Sequence, residues 1–159
     1  MPRTTNLSRP IIEALYSEAL VLADDVRAVF ALGTREPEFG DETGLSEQAS
    51  ARLALSTEGL KTTTRMMHIL AWLLNQRAFF SGELSESQVR KHGTLPPDRT
   101  ADPKALLALE PETRELIAET ERLHERIARL DEAWRSGFEM ASPARAIHSR
   151  LQRRFDDLK

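Results

Sequence analysis

Residues 66–80 read Met-Met-His-Ile-Leu-Ala-Trp-Leu-Leu-Asn-Gln-Arg-Ala-Phe-Phe, which sets apolar side chains on nearly every side of a helix. A helix at the edge of a soluble domain carries one apolar stripe and one polar face. This segment carries the stripe and more, so it must be wrapped by its own chain or buried against a partner. Its most apolar run, residues 66–74, contains His68 and is far too short to span a bilayer. The expected architecture is therefore a set of helices packed around a long central one.

Periodicity supplies the other helices. Ile12, Leu15, Ala19, Leu22, Val26 and Val29 alternate spacings of three and four, the seam of a long helix packed side by side with another. Pro10 suits its first turn and Gly33 its end, which predicts a helix over residues 9–33. Residues 33–44, with Gly33, Pro37, Gly40 and Gly44 among acids, read as an exposed loop. A second helix over residues 45–80 has its main seam at Leu53, Ser56, Leu60, Thr63, Met67, Leu70, Leu74 and Arg77. Small Ser56 and Thr63 are expected to let a neighbour approach closely. A third helix, over residues 111–136, has its seam at Thr113, Leu116, Thr120, Leu123, Ile127, Leu130 and Trp134, with an end near Gly137. Residues 81–110 are irregular apart from a short helix capped by Ser85, since Gly93, Pro96, Pro97 and Pro103 interrupt them. After Pro143, Ile147, Leu151, Phe155 and Leu158 predict a short amphipathic tail helix over residues 144–158. No strand-like alternation of any length appears. The fold class expected is all-α, an antiparallel three-helix bundle in a single domain over residues 1–159.

Composition removes several chemistries. The chain has no cysteine, which excludes disulfides, thiolate zinc sites and cysteine nucleophiles. Its start lacks the apolar core of a signal peptide, so a cytoplasmic protein is expected. The net charge is −3, but residues 138–159 hold five basic against three acidic side chains. That tail is no nucleic-acid footprint, which needs a concentrated basic face. Arg150, Arg153 and Arg154 are its candidate contacts, and the solvated side of an amphipathic helix is the blander reading.

Catalytic patterns are missing. Glu121 and His124 match the Glu-x-x-His spacing of di-iron bundles, but that chemistry wants a second copy and two further carboxylates. A solvated helix face accounts for the pair more simply. The glycines of residues 33–44 have no following lysine and no preceding strand, so they form no phosphate loop. No enzyme activity, cofactor or metal is expected.

The second helix has an extra stripe. At about 100° per residue, Trp72 and Phe79 lie nearly opposite Leu70 and Leu74, with His68 beside them. Either this stripe is a partner or homodimer surface, or residues 81–110 or the tail fold back over it. As a partner surface it has Trp72 and Phe79 as anchors, surrounded by Thr62, Arg65, His68 and Arg77. Trp and Arg are the residue types that most often dominate interface energy.

A family resemblance sits on the same helix. Thr63-Thr64-Arg65-Met66-Met67, Ala71-Trp72-Leu73-Leu74-Asn75-Gln76-Arg77-Ala78 and Gly82-Glu83 resemble the second-helix signature of the RcdA-like proteins, regulators of CtrA degradation in alphaproteobacteria. In the third helix Arg114-Glu115-Leu116-Ile117, Glu121-Arg122-Leu123 and Arg126-Ile127-Ala128-Arg129-Leu130-Asp131 add to it. The resemblance implies a three-helix bundle, commonly dimeric and without catalysis of its own. It further implies an adaptor that helps deliver cell-cycle regulators, such as a response-regulator cargo, to the ClpXP protease. Two other readings stay open: a bundle that binds a small ligand or metal, resting on Thr62-Thr63-Thr64, Glu121 and His124, and a regulator that touches nucleic acid through its basic tail.

Overall fold

A computed structural model describes residues 9–32, 45–141 and 147. The described elements are helices, as an all-α fold requires: α1 (Arg9–Leu32), α2 (Leu45–Ser81), α3 (Glu86–His92), α4 (Pro103–Leu107) and α5 (Pro111–Ala141). The expected loop over residues 33–44 and the expected tail helix, Ile147 apart, lie outside the described residues. So do the side chains of Arg150, Arg153 and Arg154.

The ends of the helices follow from local chemistry. α2 stops where Gly82 takes φ +82°. The amides of Gly82 and Glu83 then turn back to the carbonyls of Phe79 and Ala78, at 3.1 and 2.9 Å. A left-handed glycine closing a helix in this way satisfies carbonyls that the helix itself leaves free. Ser85 caps α3 in a reciprocal box with Gln88, and Asp102 caps α4 ahead of Pro103. α5 runs through Gly137 and ends four residues beyond the position its sequence suggests, at Ala141.

Three long helices pack together, with directions readable from their contacts. Arg77 near the end of α2 pairs with Glu13 near the start of α1, and Gly59 meets Phe30 near the end of α1. These two helices are antiparallel. Between α2 and α5 the contacts ascend together: Arg65 with Thr120, Trp72 with Asp131, Phe79 with Trp134. The expectation of an antiparallel bundle is therefore corrected for this pair, which runs parallel.

The cause is the 81–110 connection. It does not turn straight back. After α3 it lies extended, residues 94–102 running antiparallel to both α2 and α5, and it delivers the chain to the middle of α2 before α5 starts. This strap is the element that positions everything else.

The core of α1 is the row expected of it: Ile12, Leu15, Ala19, Leu22 and Val26 are buried. α5 likewise buries Leu116, Thr120, Leu123, Ile127 and Trp134. α2 is turned the other way. It buries Glu58, Thr62, Arg65, Met66, Ile69, Trp72, Leu73 and Gln76, and exposes Leu53, Leu60, Met67 and Leu74. Ser56 and Thr63, expected at a close helix crossing, are exposed with them. The close approach is made by Gly59, where a Cβ would stand 2.8 Å from Cδ1 of Phe30.

Candidate functional site

The buried face of α2 is polar because the strap needs it. An extended segment with no strand beside it among the described residues must find partners for its peptide groups among side chains. Leu95, Pro96, Arg99, Thr100, Ala101 and Asp102 do so, and Thr94 is held through its hydroxyl. Arg135 donates to the Thr94 hydroxyl at 2.6 Å, and Asp131 accepts from the Leu95 amide at 3.3 Å. A ring nitrogen of His124 lies 3.1 Å from the carbonyl oxygen of Pro96. Glu121 accepts from the Ala101 amide at 2.7 Å, and Glu58 from the Asp102 amide at 3.3 Å.

Arg65 is the centre of this network. Its Nε lies 2.9 and 2.8 Å from the two carboxylate oxygens of Asp98. Its terminal nitrogens donate to the Thr120 hydroxyl, the Arg99 carbonyl and Glu121, at 2.8, 3.0 and 3.3 Å. The planar guanidinium fork suits this many acceptors in one plane. One side chain thus ties α2, the strap and α5 together.

The residues expected to form a contact surface divide accordingly. Thr62 is buried and donates to the Glu58 carbonyl at 2.7 Å. Trp72 is 2% exposed and donates through Nε1 to Asp131 at 2.8 Å. Thr62, Arg65 and Trp72 are interior groups, and of the two readings of the Trp72 stripe the geometry shows coverage by the chain itself. Phe79 is half-buried, edge-on to Phe80 and Trp134 at centroid distances of 5.5 and 5.7 Å. His68 is half-buried on the flank. Arg77 lies over the ring of Tyr16 and donates to Glu13, and that hydrogen bond raises its pKa above the ordinary arginine value. Glu121 and His124 hold the strap rather than forming a solvated face, and His124 is only 6% exposed. Among the described residues no three His, Cys, Asp or Glu side chains are placed to hold a metal.

The surface that α2 does present is on its other side. Leu53, Leu60, Met67 and Leu74, seven residues apart, are 70, 70, 64 and 48% exposed. Ser56, Thr57, Thr63 and Ala71 fill the spaces between them. The charged residues within this stretch, Glu58, Lys61 and Arg65, all bond on the strap side. A solvent face of more than twenty residues without an exposed charge is unlike an ordinary surface helix, and contiguous exposed apolar area marks contacts. The three-four spacing of this row is that of a packed seam, yet the row faces solvent.

A second surface is the groove between α1 and α5. Two adjoining hollows of about 590 and 430 Å³ share Glu18 and Arg126, whose salt bridge of 2.8 Å spans them. Apolar Ile11, Val21 and Leu130 line it, with Arg122 and Arg129 along the α5 rim. Among the described residues no helix is long and apolar enough to cross a membrane.

Comparison with known proteins gives one family. The model described as "Protein of unknown function (DUF1465)" matches residues 3–155. No curated protein matches the chain, and no solved structure does.

Proposed function

We propose that this chain, which belongs to the DUF1465 family, is a non-catalytic accessory protein that works by docking other proteins on its helical faces. The finer assignment rests on the RcdA-like residues of α2 and α5: an adaptor in regulated proteolysis, cytoplasmic and homodimeric, that helps deliver response-regulator cargo to the ClpXP protease. The observation that carries the reading is the uncharged face of α2. Leucines and a methionine held in water along four heptad positions cost solvation unless something covers them. The buried polar residues fit the same picture, because Arg65, Glu121, His124 and Asp131 spend their hydrogen bonds on the strap and leave a rigid scaffold behind those faces.

The test is a reconstituted degradation assay. ClpXP, its accessory factors and the response regulator CtrA are combined with and without the protein, and loss of CtrA is followed. A several-fold faster loss is expected with the protein present. An unchanged rate at saturating protein overturns the adaptor assignment.

A further inference from the structure

We propose that the groove between α1 and α5 seats an amphipathic helix of a partner protein, about four turns long, with large apolar side chains seven residues apart and opposite charges at its two ends. This seat presupposes that the chain is a docking protein, and it lies away from the exposed row of α2.

Shape decides the kind of occupant. Both walls of the groove are helices, whose peptide groups are paired along their own axes. Neither wall offers a strand edge, so an occupant must satisfy its own backbone, as a helix does. The floor is apolar. Leu15, Leu22 and Leu123 are buried beneath it, and Ile11 and Val21 stand 38 and 67% exposed at its mouth. From Ile11 to Asp25 the groove follows α1 for roughly 21 Å, the length of about four helical turns. Ala14 lines one hollow and Val21, seven residues on, lines the other. A helix lying along α1 therefore meets both hollows with side chains at i and i+7.

Charge decides its ends. Asp25 and Glu119 line one end of the groove and Arg129 the other. Neighbouring arginines are engaged: Arg27 with Asp24, Arg122 with Glu115 and Arg126 with Glu18, at 2.7, 2.7 and 2.8 Å. Asp25 and Arg129 make no such pair among the described residues. The bridge across the groove, Glu18 to Arg126, joins two half-exposed side chains, and a surface pair of that kind contributes little. It is no bar to a helix lying over it. Complementary charges select and orient a partner. A base in the occupant's turn over Asp25 and Glu119, and an acid in the turn over Arg129, complete both ends. The exposed row of α2 has nothing equivalent, since its exposed side chains between Leu53 and Leu74 carry no charge.

Fluorescence anisotropy with designed peptides tests the seat. The first probe is an alanine-rich helix of about four turns with leucine at i and i+7, lysine in its first turn and glutamate in its last. The second has lysine at both ends. The full chain at low salt is expected to bind the first more tightly, by roughly two- to five-fold for the one charge matched, although a net charge of −3 favours the second. In an Arg129→Glu protein the order is expected to reverse. Ala14→Gln with Val21→Gln, neutral changes at exposed positions, is expected to weaken both peptides several-fold with unchanged helix content. Equal affinities, an order that Arg129→Glu leaves unchanged, or no binding at all would each overturn the proposal; no binding is the result expected where residues 144–158 of the same chain fill the groove. A wild-type mass of two chains by light scattering that falls to one in the Ala14→Gln, Val21→Gln protein would put a second copy there and overturn it as well. The assay contains neither protease nor cargo. Peptide binding without faster degradation counts against the adaptor role alone, and faster degradation without peptide binding counts against this groove alone.

Discussion

Arg65 and Asp98 face each other across the boundary between α2 and the strap, Nε of Arg65 lying 2.9 and 2.8 Å from the two carboxylate oxygens. The Arg65 side chain is fully out of solvent and that of Asp98 nearly so. A charge taken that far from water is stabilised only while its partners remain. The pair therefore holds the strap against α2, and through the strap it fixes the direction of α5.

Removing one partner is expected to cost more than removing both. Asp98→Ala leaves Arg65 buried with its closest carboxylate gone and Glu121, at 3.3 Å, as the remaining one, a loss of about 1.5–3 kcal/mol. An Arg65→Met, Asp98→Ala double variant is expected to recover part of it, since the fully buried guanidinium is gone and the Glu121 carboxylate it also met is a quarter exposed. Urea unfolding of the two single variants and the double variant measures the coupling. Equal and additive losses would show that the pair is not a unit.

Asp131 predicts a second loss by a different route. Its carboxylate accepts from Trp72 Nε1, the Leu95 amide and Arg135, at 2.8, 3.3 and 3.1 Å. Asp131→Ala strands a buried indole donor and a buried amide, each worth about 1–3 kcal/mol. For a chain of this size every kcal/mol lowers Tm by roughly 2–4 °C, so thermal unfolding resolves the effect. Trp72→Phe relieves the stranded indole, and in the Asp131→Ala background it is expected to cost less than in the wild type.

Gly59 is where helix propensity and packing oppose each other. Alanine in place of a mid-helix glycine ordinarily stabilises by about 1 kcal/mol. Here the added Cβ would stand 2.8 Å from Cδ1 of Phe30 and 3.2 Å from two more ring atoms. Overpacking a helix crossing costs about 1–3 kcal/mol, so Gly59→Ala is expected to destabilise on balance. The same substitution in a Phe30→Leu background is expected to cost less or to stabilise. Unfolding free energies of the four proteins in the cycle give the answer.

These outcomes also show which parts of the fold the sequence carries openly. α1 and α5 each have one apolar row, so the three-four spacing of Ile12 to Val26 and of Leu116 to Trp134 points to the core without competition. α2 has two rows, and the more regular one, Leu53 to Leu74, is the exposed one. Its buried row mixes Glu58, Thr62, Arg65 and Gln76 with Ile69, Trp72 and Leu73, which looks like a surface when read locally. Glu58 and Arg65 become interior only because Asp98, Thr120 and the peptide groups of the strap meet them from thirty or more positions away. The parallel course of α5 is hidden for the same reason: it follows from the path of residues 94–102, and that path is set by long-range pairing.

Gln76 makes the last prediction. It is fully buried on the same row, between Leu73 and Phe80 in sequence, and neither its amide nitrogen nor its amide oxygen has a hydrogen-bond partner among the described residues. A buried amide without partners carries its desolvation cost with nothing to offset it, about 1–3 kcal/mol on mutational scales. Methionine has nearly the same length and helix propensity and needs no partner. Gln76→Met is therefore expected to raise stability by about 1–2 kcal/mol, whereas Gln76→Ala adds a cavity and is expected to gain less or to lose. Urea unfolding separates the two, because a stabilised variant shifts the midpoint without changing the slope. A Gln76→Met protein less stable than wild type would mean that the amide is engaged in solution by a group whose hydrogen bonds outweigh the burial of a thioether.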